Sequence, residues 1–213
     1  MAELLKDLTC EGFAAITASD APAPGGGSVS APAGALGAAL AGMVANLTIG
    51  KKKYEEVQDE MKELAAQAEA LQKELIADID KDSTSFNIYM DAIGMPKDTE
   101  EQKAARKAKM QEGLKAAAQV PLSCAETAVK MFPIAEAVIA KGNTNAVTDG
   151  LVASMMARTA VLGALLNVKI NLGSIKDEAF VAELSAKCEA LDKEAVAYEQ
   201  KILKMSELSD KLY

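Results

Sequence analysis

Histidine is absent from all 213 residues. That excludes Ser–His and Cys–His nucleophile pairs, Glu-x-x-His metal bundles and zincin-type sites. Tryptophan is absent too, aromatics make up only 4%, and there are six prolines. Runs rich in Val, Ile and Thr, the mark of strands, are missing, while Ala, Leu, Lys and Glu dominate, so the chain is expected to be helical. Cys10, Cys124 and Cys188 are isolated, far from metal-site spacing, and read as reduced thiols of a cytosolic protein. No metal site is expected, because carboxylates are the only strong ligands left and Asp78 with Asp82 alone makes a poor one. A basic excess is also missing. The net charge of −8 disfavours nucleic acid and anionic membranes as partners, so an anionic ligand requires a local basic patch. Met1-Ala2-Glu3-Leu4-Leu5-Lys6-Asp7 is amphipathic and lacks a signal-peptide pattern, which makes a cytoplasmic location the expectation. At this length, with half of the residues apolar, one domain over 1–213 can bury a core of useful size.

What is present is organised around Pro22 to Tyr54. Pro22-Ala23-Pro24 and three glycines, Gly25-Gly26-Gly27, precede Ser28. A run of Ala, Gly, Leu and Val follows, uncharged until Lys51-Lys52-Lys53. A glycine turn feeding a helix N-terminus exposes backbone N–H groups on the positive end of the helix dipole, an arrangement suited to an anion. The plain alternative is a helix cap with nothing bound. Gly50-Lys51-Lys52 does not fit a P-loop. Ser30 stands where a dinucleotide fingerprint needs its third glycine, and a helix precedes the turn in place of a strand. The uncharged run is long enough to span a bilayer, but its Gly and Ala content and Pro32 favour a buried central helix packed on every side.

In chain order, residues 2–19 are expected to form a first helix and the central helix to run from about Ser30 to Ile49. A long helix is expected from Lys53 to Ile93. Its apolar seam, Tyr54, Val57, Met61, Leu64, Ala68, Leu71, Leu75, Ile79, has three- and four-residue steps and continues to Phe86, Tyr89 and Ile93. Gly94-Met95-Pro96-Lys97 ends it, and Asp98 with Glu101 resembles a capping box. Lys103, Arg106, Lys107 and Lys109 read best as a solvated face. Pro121 is expected to break or kink the next segment, with a further helix from Leu122 to Lys141 stopped by Gly142-Asn143. Thr144 is a plausible cap for a second small-residue helix reaching Leu172, with Asn167 and Asn171 on one face at its end. The last helix spans Lys176 to Leu212. The fold class expected is therefore all-α: a bundle of long amphipathic helices around two buried small-residue helices.

One carboxylate stands out. Asp82 occupies a place in the Leu75, Ile79, Phe86 seam where the pattern demands a hydrophobe. Asp78 lies one turn before it, and Asp80 is about 200° round the helix and faces elsewhere. A carboxylate on an apolar stripe is costly unless paired or protonated, so it is either a structural Asp bonded to a neighbouring helix or a functional one.

The order of these pieces resembles the cyclodeaminase/cyclohydrolase enzymes of folate one-carbon metabolism. That family includes the C-terminal domain of formiminotransferase-cyclodeaminase and stand-alone methenyltetrahydrofolate cyclohydrolases. The resemblance rests on Ala23-Pro24-Gly25-Gly26-Gly27-Ser28-Val29, Gly50-Lys51-Lys52-Lys53-Tyr54, Asp80-Lys81-Asp82 and Met95-Pro96-Lys97. It continues through Gln111-Glu112-Gly113-Leu114, Val120-Pro121-Leu122, Ala125-Glu126-Thr127, Gly142-Asn143, Thr148-Asp149 and Asn167-Val168-Lys169-Ile170-Asn171-Leu172. It covers nearly the whole chain. Thr148 departs conservatively from the family's Ser.

The resemblance implies a homodimer with a folate cleft and a tetrahydrofolate derivative, polyglutamated or not, as substrate. It implies no permanently bound cofactor, and a separate formiminotransferase for any transfer step. The first activity it implies is conversion of 5-formimidoyltetrahydrofolate to 5,10-methenyltetrahydrofolate and ammonia; the alternative is hydrolysis of the methenyl compound to 10-formyltetrahydrofolate. Joined to the residues, it points to Asp82 as the acid/base, its pKa raised by burial, and to Asp149 as a second catalytic carboxylate. Gly25, Gly26, Gly27, Ser28, Lys51, Lys52, Lys53 and Asp80 are the expected binding residues, with Asn143 and Asn171 orienting substrate. A non-catalytic helical scaffold and a membrane-associated bundle are the competing classes. Asp82 in a cleft argues against the scaffold, and partition without detergent argues against the bundle.

Overall fold

The structure, a computed structural model, describes residues 4–212; Ala2 and Glu3 of the expected first helix lie outside them. The described residues form helices and turns with no strand. A 3₁₀ turn, Leu5–Asp7, precedes α1 (Cys10–Thr17) and α2 (Gly26–Asn46). After a second 3₁₀ segment, Lys52–Val57, come α3 (Gln58–Gly94), α4 (Glu100–Ala128) and α5 (Met131–Lys141). A third, Thr144–Ala146, leads into α6 (Val147–Leu172), and α7 (Glu178–Leu203) completes the order.

Several boundaries differ from those the sequence suggests. The first helix is two pieces, because the Thr9 side chain accepts from Gly12 N–H and starts a new helix there. The central helix begins at Gly26, not Ser30, so two of the three glycines form its first turn. The long helix becomes regular only at Gln58. The capping box of α4 sits one residue on from the expected pair: Thr99 Oγ1 accepts from Gln102 N–H, and Gln102 Oε1 accepts from Thr99 N–H, both at 3.2 Å. Asn143, not Thr144, supplies the cap before α6. The last helix stops at Leu203.

Pro121 does not break its helix. Proline lacks an N–H, so in a helix interior it leaves the carbonyl four residues back without a partner. That carbonyl is Ala117 O, and the Asn171 side-chain amide donates to it at 3.1 Å. The donor missing from α4 comes from α6, and α4 runs on to Ala128. The expected Leu122 to Lys141 helix is accordingly divided, ending at Ala128 and restarting at Met131. Pro133 lies in the first turn of α5, where an N–H is not needed.

α2 packs between α3 and α6, and α4 packs on both α3 and α6 to complete a ring of four helices. α5 and α7 pack on α6 from outside. Gly26 lies beside Asn167, Ser30 beside Gly163 and Gly34 beside Ala160, so α2 and α6 run antiparallel. Their small residues permit this close approach. Ala31, Ala35, Ala38, Ala41, Val44, Ala157, Ala160 and Ala164 are all essentially inaccessible to solvent. The expectation of packing on every side fails, however. Val29, Leu36 and Met43 of α2, with Val152, Leu166 and Ile170 of α6, are exposed. Both helices are apolar and long enough to cross a membrane, and 61% and 50% of their most apolar windows are buried within the protein. The seam of α3 holds through Met61, Leu71, Leu75 and Ile79. It then rotates so that Ala92 is buried and Ile93 exposed.

Candidate active site

The N-terminal end of α2 lacks a side-chain cap of its own, because its N-cap residue is Gly25. The first N–H groups of a helix need partners, and here Asp82 of α3 supplies one. The Ser28 hydroxyl donates to Asp82 Oδ2 at 2.8 Å, and the Ser28 backbone N–H also bonds to this carboxylate. Burial pushes the Asp82 carboxyl above the usual carboxylate range, opposed by these two Ser28 hydrogen bonds. The balance leaves a proton acceptor poised closer to neutrality than an exposed Asp.

Asp82 faces a cleft of about 160 Å³ whose wall includes Pro22, Gly25, Gly27, Phe86, Asn167 and Asn171. The three glycines do not serve through left-handed backbone; among the described residues the only positive φ is at Gly50. They serve through space. A Cβ on Gly26 would lie 2.9 Å from Asn167 Nδ2, and one on Gly27 would collide with the Asp82 carboxylate, whereas Gly25 faces open space.

Asn167 and Asn171 extend the site along α6. Asn167 Nδ2 donates to Gly163 O at 2.8 Å, and Asn171 Nδ2 donates to Asn167 O at 2.8 Å as well as to Ala117 O. The sequence places both on one face, and of the two only Asn171 is among the expected site residues. The i, i+4 spacing of two amides at the end of an apolar helix was the available signal for Asn167.

Behind the cleft lies a second carboxylate, Asp78, more buried than Asp82 at 3% exposure. Lys81 Nζ donates to its Oδ1 at 2.7 Å, and its Oδ2 is buried without a partner among the described residues. Desolvation raises its carboxyl despite that lysine. Cys124, also buried, has its thiol pushed up to about 12 by burial and then by the charges of Asp78, Asp82 and Glu74. It is therefore no nucleophile.

Other expected site residues lie elsewhere. Asp80 turns away from the cleft, and its Oδ1 accepts from Leu5 N–H at 2.8 Å, tying down the N-terminal segment. Asn143 is buried at the far end of α2. It donates from Nδ2 to Leu47 O and from its backbone N–H to Thr48 Oγ1, and its Oδ1 accepts from Asn145 N–H. Asp149 is half-buried in the first turn of α6, about 27 Å from Asn167 by helix rise. Lys51, Lys52 and Lys53 are exposed beyond the C-terminal end of α2, roughly 30 Å from Ser28. Beside them Tyr54 OH accepts from Thr144 N–H at 3.1 Å. Its pKa is lowered to about 8, first by the Thr144 hydroxyl and then by that backbone group and Lys53.

A larger groove, about 650 Å³, lies between α2 and α3 near Met43 and Gln72, away from Asp82. Its charged residues Lys62 and Glu69 are engaged with Asp59 and Lys73 in surface pairs, so the chemistry points to the smaller cleft. Among the described residues no three Cys, Asp or Glu side chains converge as a metal cage.

The family profile for formiminotransferase-cyclodeaminase matches residues 9–190. The chain belongs to that family. It is 44% identical over 194 residues to a methenyltetrahydrofolate cyclohydrolase of Methylorubrum extorquens, covering 91% of this chain and 93% of that protein. It is 39% identical over 177 residues to the formimidoyltransferase-cyclodeaminase of Sus scrofa, where the match spans 33% of the larger protein and 83% of this chain. Among solved structures, a formiminotetrahydrofolate cyclodeaminase from Thermotoga maritima superposes with a TM-score of 0.84 at 31% identity, covering 94% of this chain and 96% of that one. Both enzyme types of the family therefore occur among relatives that match this chain along nearly its full length.

Proposed function

We propose that this family member is a folate one-carbon enzyme acting at the carbon between N5 and N10 of tetrahydrofolate, with Asp82 as its acid/base. The observation that carries the reading is the Asp82 carboxylate, held by Ser28 in a cleft and raised by burial. The first assignment is methenyltetrahydrofolate cyclohydrolase, supported by the 44% identity to a relative of the same extent. Water oxygen bonds to the methenyl carbon as Asp82 takes one water proton. The carbon–N5 bond then opens, N5 receives a proton, and the hydroxyl loses its own as the formyl carbonyl forms, with one proton released overall. The second assignment, formimidoyltetrahydrofolate cyclodeaminase, is supported by the solved relative of matching length. There N10 attacks the formimidoyl carbon, and the imine nitrogen, gaining the N10 proton and one more from solvent, leaves as ammonia while the cationic methenyl bridge forms. Both reactions pass through a tetrahedral carbon and need a base that returns its proton.

A cleft of about 160 Å³ is smaller than the roughly 300–1,000 Å³ of ordinary ligand pockets, so it suits the reacting centre, not a whole folate. The remainder of the substrate then lies on the outer surface or against a second subunit. The protein works as a homodimer in the cytoplasm, without a permanently bound cofactor or metal, and any formimidoyl transfer is made by a separate formiminotransferase. Lys51, Lys52 and Lys53 bind glutamate carboxylates. At roughly 30 Å from Ser28 they act on a polyglutamate tail or on substrate held by the partner copy. Asp149 and Asn143, at that same end, belong with the lysines and not with Asp82.

The test is the absorbance of the methenyl compound. Supplied with methenyltetrahydrofolate, a cyclohydrolase bleaches it well above the uncatalysed rate; supplied with 5-formimidoyltetrahydrofolate, a cyclodeaminase generates it. Activity on neither substrate would sink the proposal.

A further inference from the structure

Two side chains of the cleft have a fixed hydrogen-bonding sense. Both N–H bonds of the Asn171 amide are spent, one on Ala117 O, the carbonyl that Pro121 leaves open, and one on Asn167 O. Turning that amide over would set its oxygen against two carbonyl oxygens. Asn167 is held the same way round by Gly163 O. Each Oδ1 is thus left as an acceptor, and no donor reaches either one among the described residues. The two hydroxyls of the wall are spent on backbone carbonyls, Ser83 Oγ on Asp80 O and Ser85 Oγ on Asp82 O, and the buried Ser28 hydroxyl is given to Asp82 Oδ2. The side-chain acceptors of the cleft, Asp82 and the two Asn Oδ1 atoms, therefore outnumber its free side-chain donor, the second Nδ2–H of Asn167. A small molecule rich in O–H or N–H bonds finds partners there.

Resting on the folate reading above, we propose that Asn167 and Asn171 hold, through their Oδ1 atoms, the small hydrogen-bond donor exchanged at the one-carbon unit, water or ammonia, beside Asp82. The reacting carbon in the methenyl state carries no N–H, since N5 and N10 are both fully substituted, so the donors the cleft is built for belong to the entering or leaving group. Water that gives one proton to an amide oxygen and turns the other toward Asp82 presents a lone pair to the carbon. Ammonia leaving the carbon passes into the same acceptors. One arrangement of residues thereby serves both activities found among the relatives. Pro121 takes part as a positioning residue, because the carbonyl it leaves open is one of the two that fix Asn171.

The experiment follows turnover of methenyltetrahydrofolate in graded ammonium chloride at constant ionic strength, resolving formyl from formimidoyl product. Ammonium should act on the wild type as competing nucleophile or as inhibitor of formyl formation. Asn167→Ala should need roughly tenfold more ammonium for the half-maximal effect, with KM for the folate changed by less than about twofold. Asn167→Asp is the deciding comparison. It keeps an oxygen acceptor but loses Nδ2, so the proposal expects ammonium sensitivity at or above the wild-type level. A purely structural role through Gly163 O expects Ala and Asp to be equally damaging. Equal damage, a raised folate KM with unaltered ammonium response, or no ammonium effect on the wild type would each overturn the proposal. Wild-type inactivity on both folates would instead remove the functional reading itself, and this inference with it.

Discussion

Gly27 and Asp82 compete for one space. A Cβ built on Gly27 would stand 2.6 Å from the carboxyl carbon of Asp82, closer than real Cβ contacts allow. The glycine is needed because a carboxylate from another helix lies against the first turn of α2, where the Ser28 hydroxyl donates to it. Gly27→Ala should therefore displace the acid/base and lower kcat by at least tenfold, with a smaller effect on folate KM. Gly25→Ala, where nothing lies within 4 Å, should keep kcat within about twofold. Steady-state kinetics on both variants decide the point; equal behaviour would mean that Asp82 placement is not what the glycines protect.

Asp82→Asn retains shape and the Ser28 hydrogen bond but removes the titrating group. General acid–base catalysis is typically worth roughly 10²–10⁴-fold, and kcat should fall by about that much while folate still binds. Asp80 accepts from Leu5 N–H outside the cleft, so Asp80→Asn should leave kcat within a few-fold and act mainly on stability, by about 1 kcal/mol. Near-normal turnover in Asp82→Asn would show that the proton is carried elsewhere, with Asp78 the next carboxylate to examine.

Stability should carry the signature of the same group. Because the folded-state carboxyl of Asp82 titrates above its ordinary value, the folded protein binds more protons than the unfolded chain between those two values. Its stability then falls as pH rises through that window and stays lowered above it. Asp82→Asn escapes this loss. Its Tm should match the wild type at pH below the ordinary carboxylate range and exceed it at neutral pH. Melting curves at several pH values test the sign, and a gap independent of pH would contradict it.

Sequence pattern exposed the residue but not its surroundings. The heptad seam of α3 singled out Asp82 because a polar residue in an apolar stripe is visible by counting alone. The same counting placed Asp80 on another face, and it does lie outside the cleft. Counting could not reveal that the Ala117 carbonyl left open by Pro121 is met by Asn171, 54 positions on from Ala117; local rules rightly expect a proline to interrupt a helix that no such donor reaches. The glycine turn was legible as a special backbone, yet the reason for it is crowding by Asp82 and Asn167, a tertiary fact. Lys51, Asn143 and Asp149 appear in the same motif series as Ser28 and Asp82. The order of motifs does not tell which end of an antiparallel helix pair each one reaches. An uncharged run looks alike whether it faces protein on all sides or on three, so the sequence of α2 and α6 does not reveal their open side.

The open side of those helices leads to the last prediction. Val29, Leu36 and Met43 recur every seven residues along α2, and Val152 and Leu166 stand two heptads apart on α6, its antiparallel neighbour; each is at least 40% exposed. No charged residue interrupts α2, and the one cation in the middle of α6, Arg158, is paired with Glu199. On a chain of net charge −8, two copies approach most readily where charge is absent, and a continuous apolar face of this kind usually marks an interface. The proposed homodimer should therefore form through α2 and α6. Leu36→Glu or Leu166→Glu, each more than half exposed in the single chain, should yield monomers in sedimentation at micromolar concentration while retaining helical circular dichroism. Because Ile170 borders both this face and the Asp82 cleft, such monomers should also show a raised folate KM. A variant that stays dimeric, or a wild type that sediments as a stable monomer, would place the interface elsewhere or abolish it.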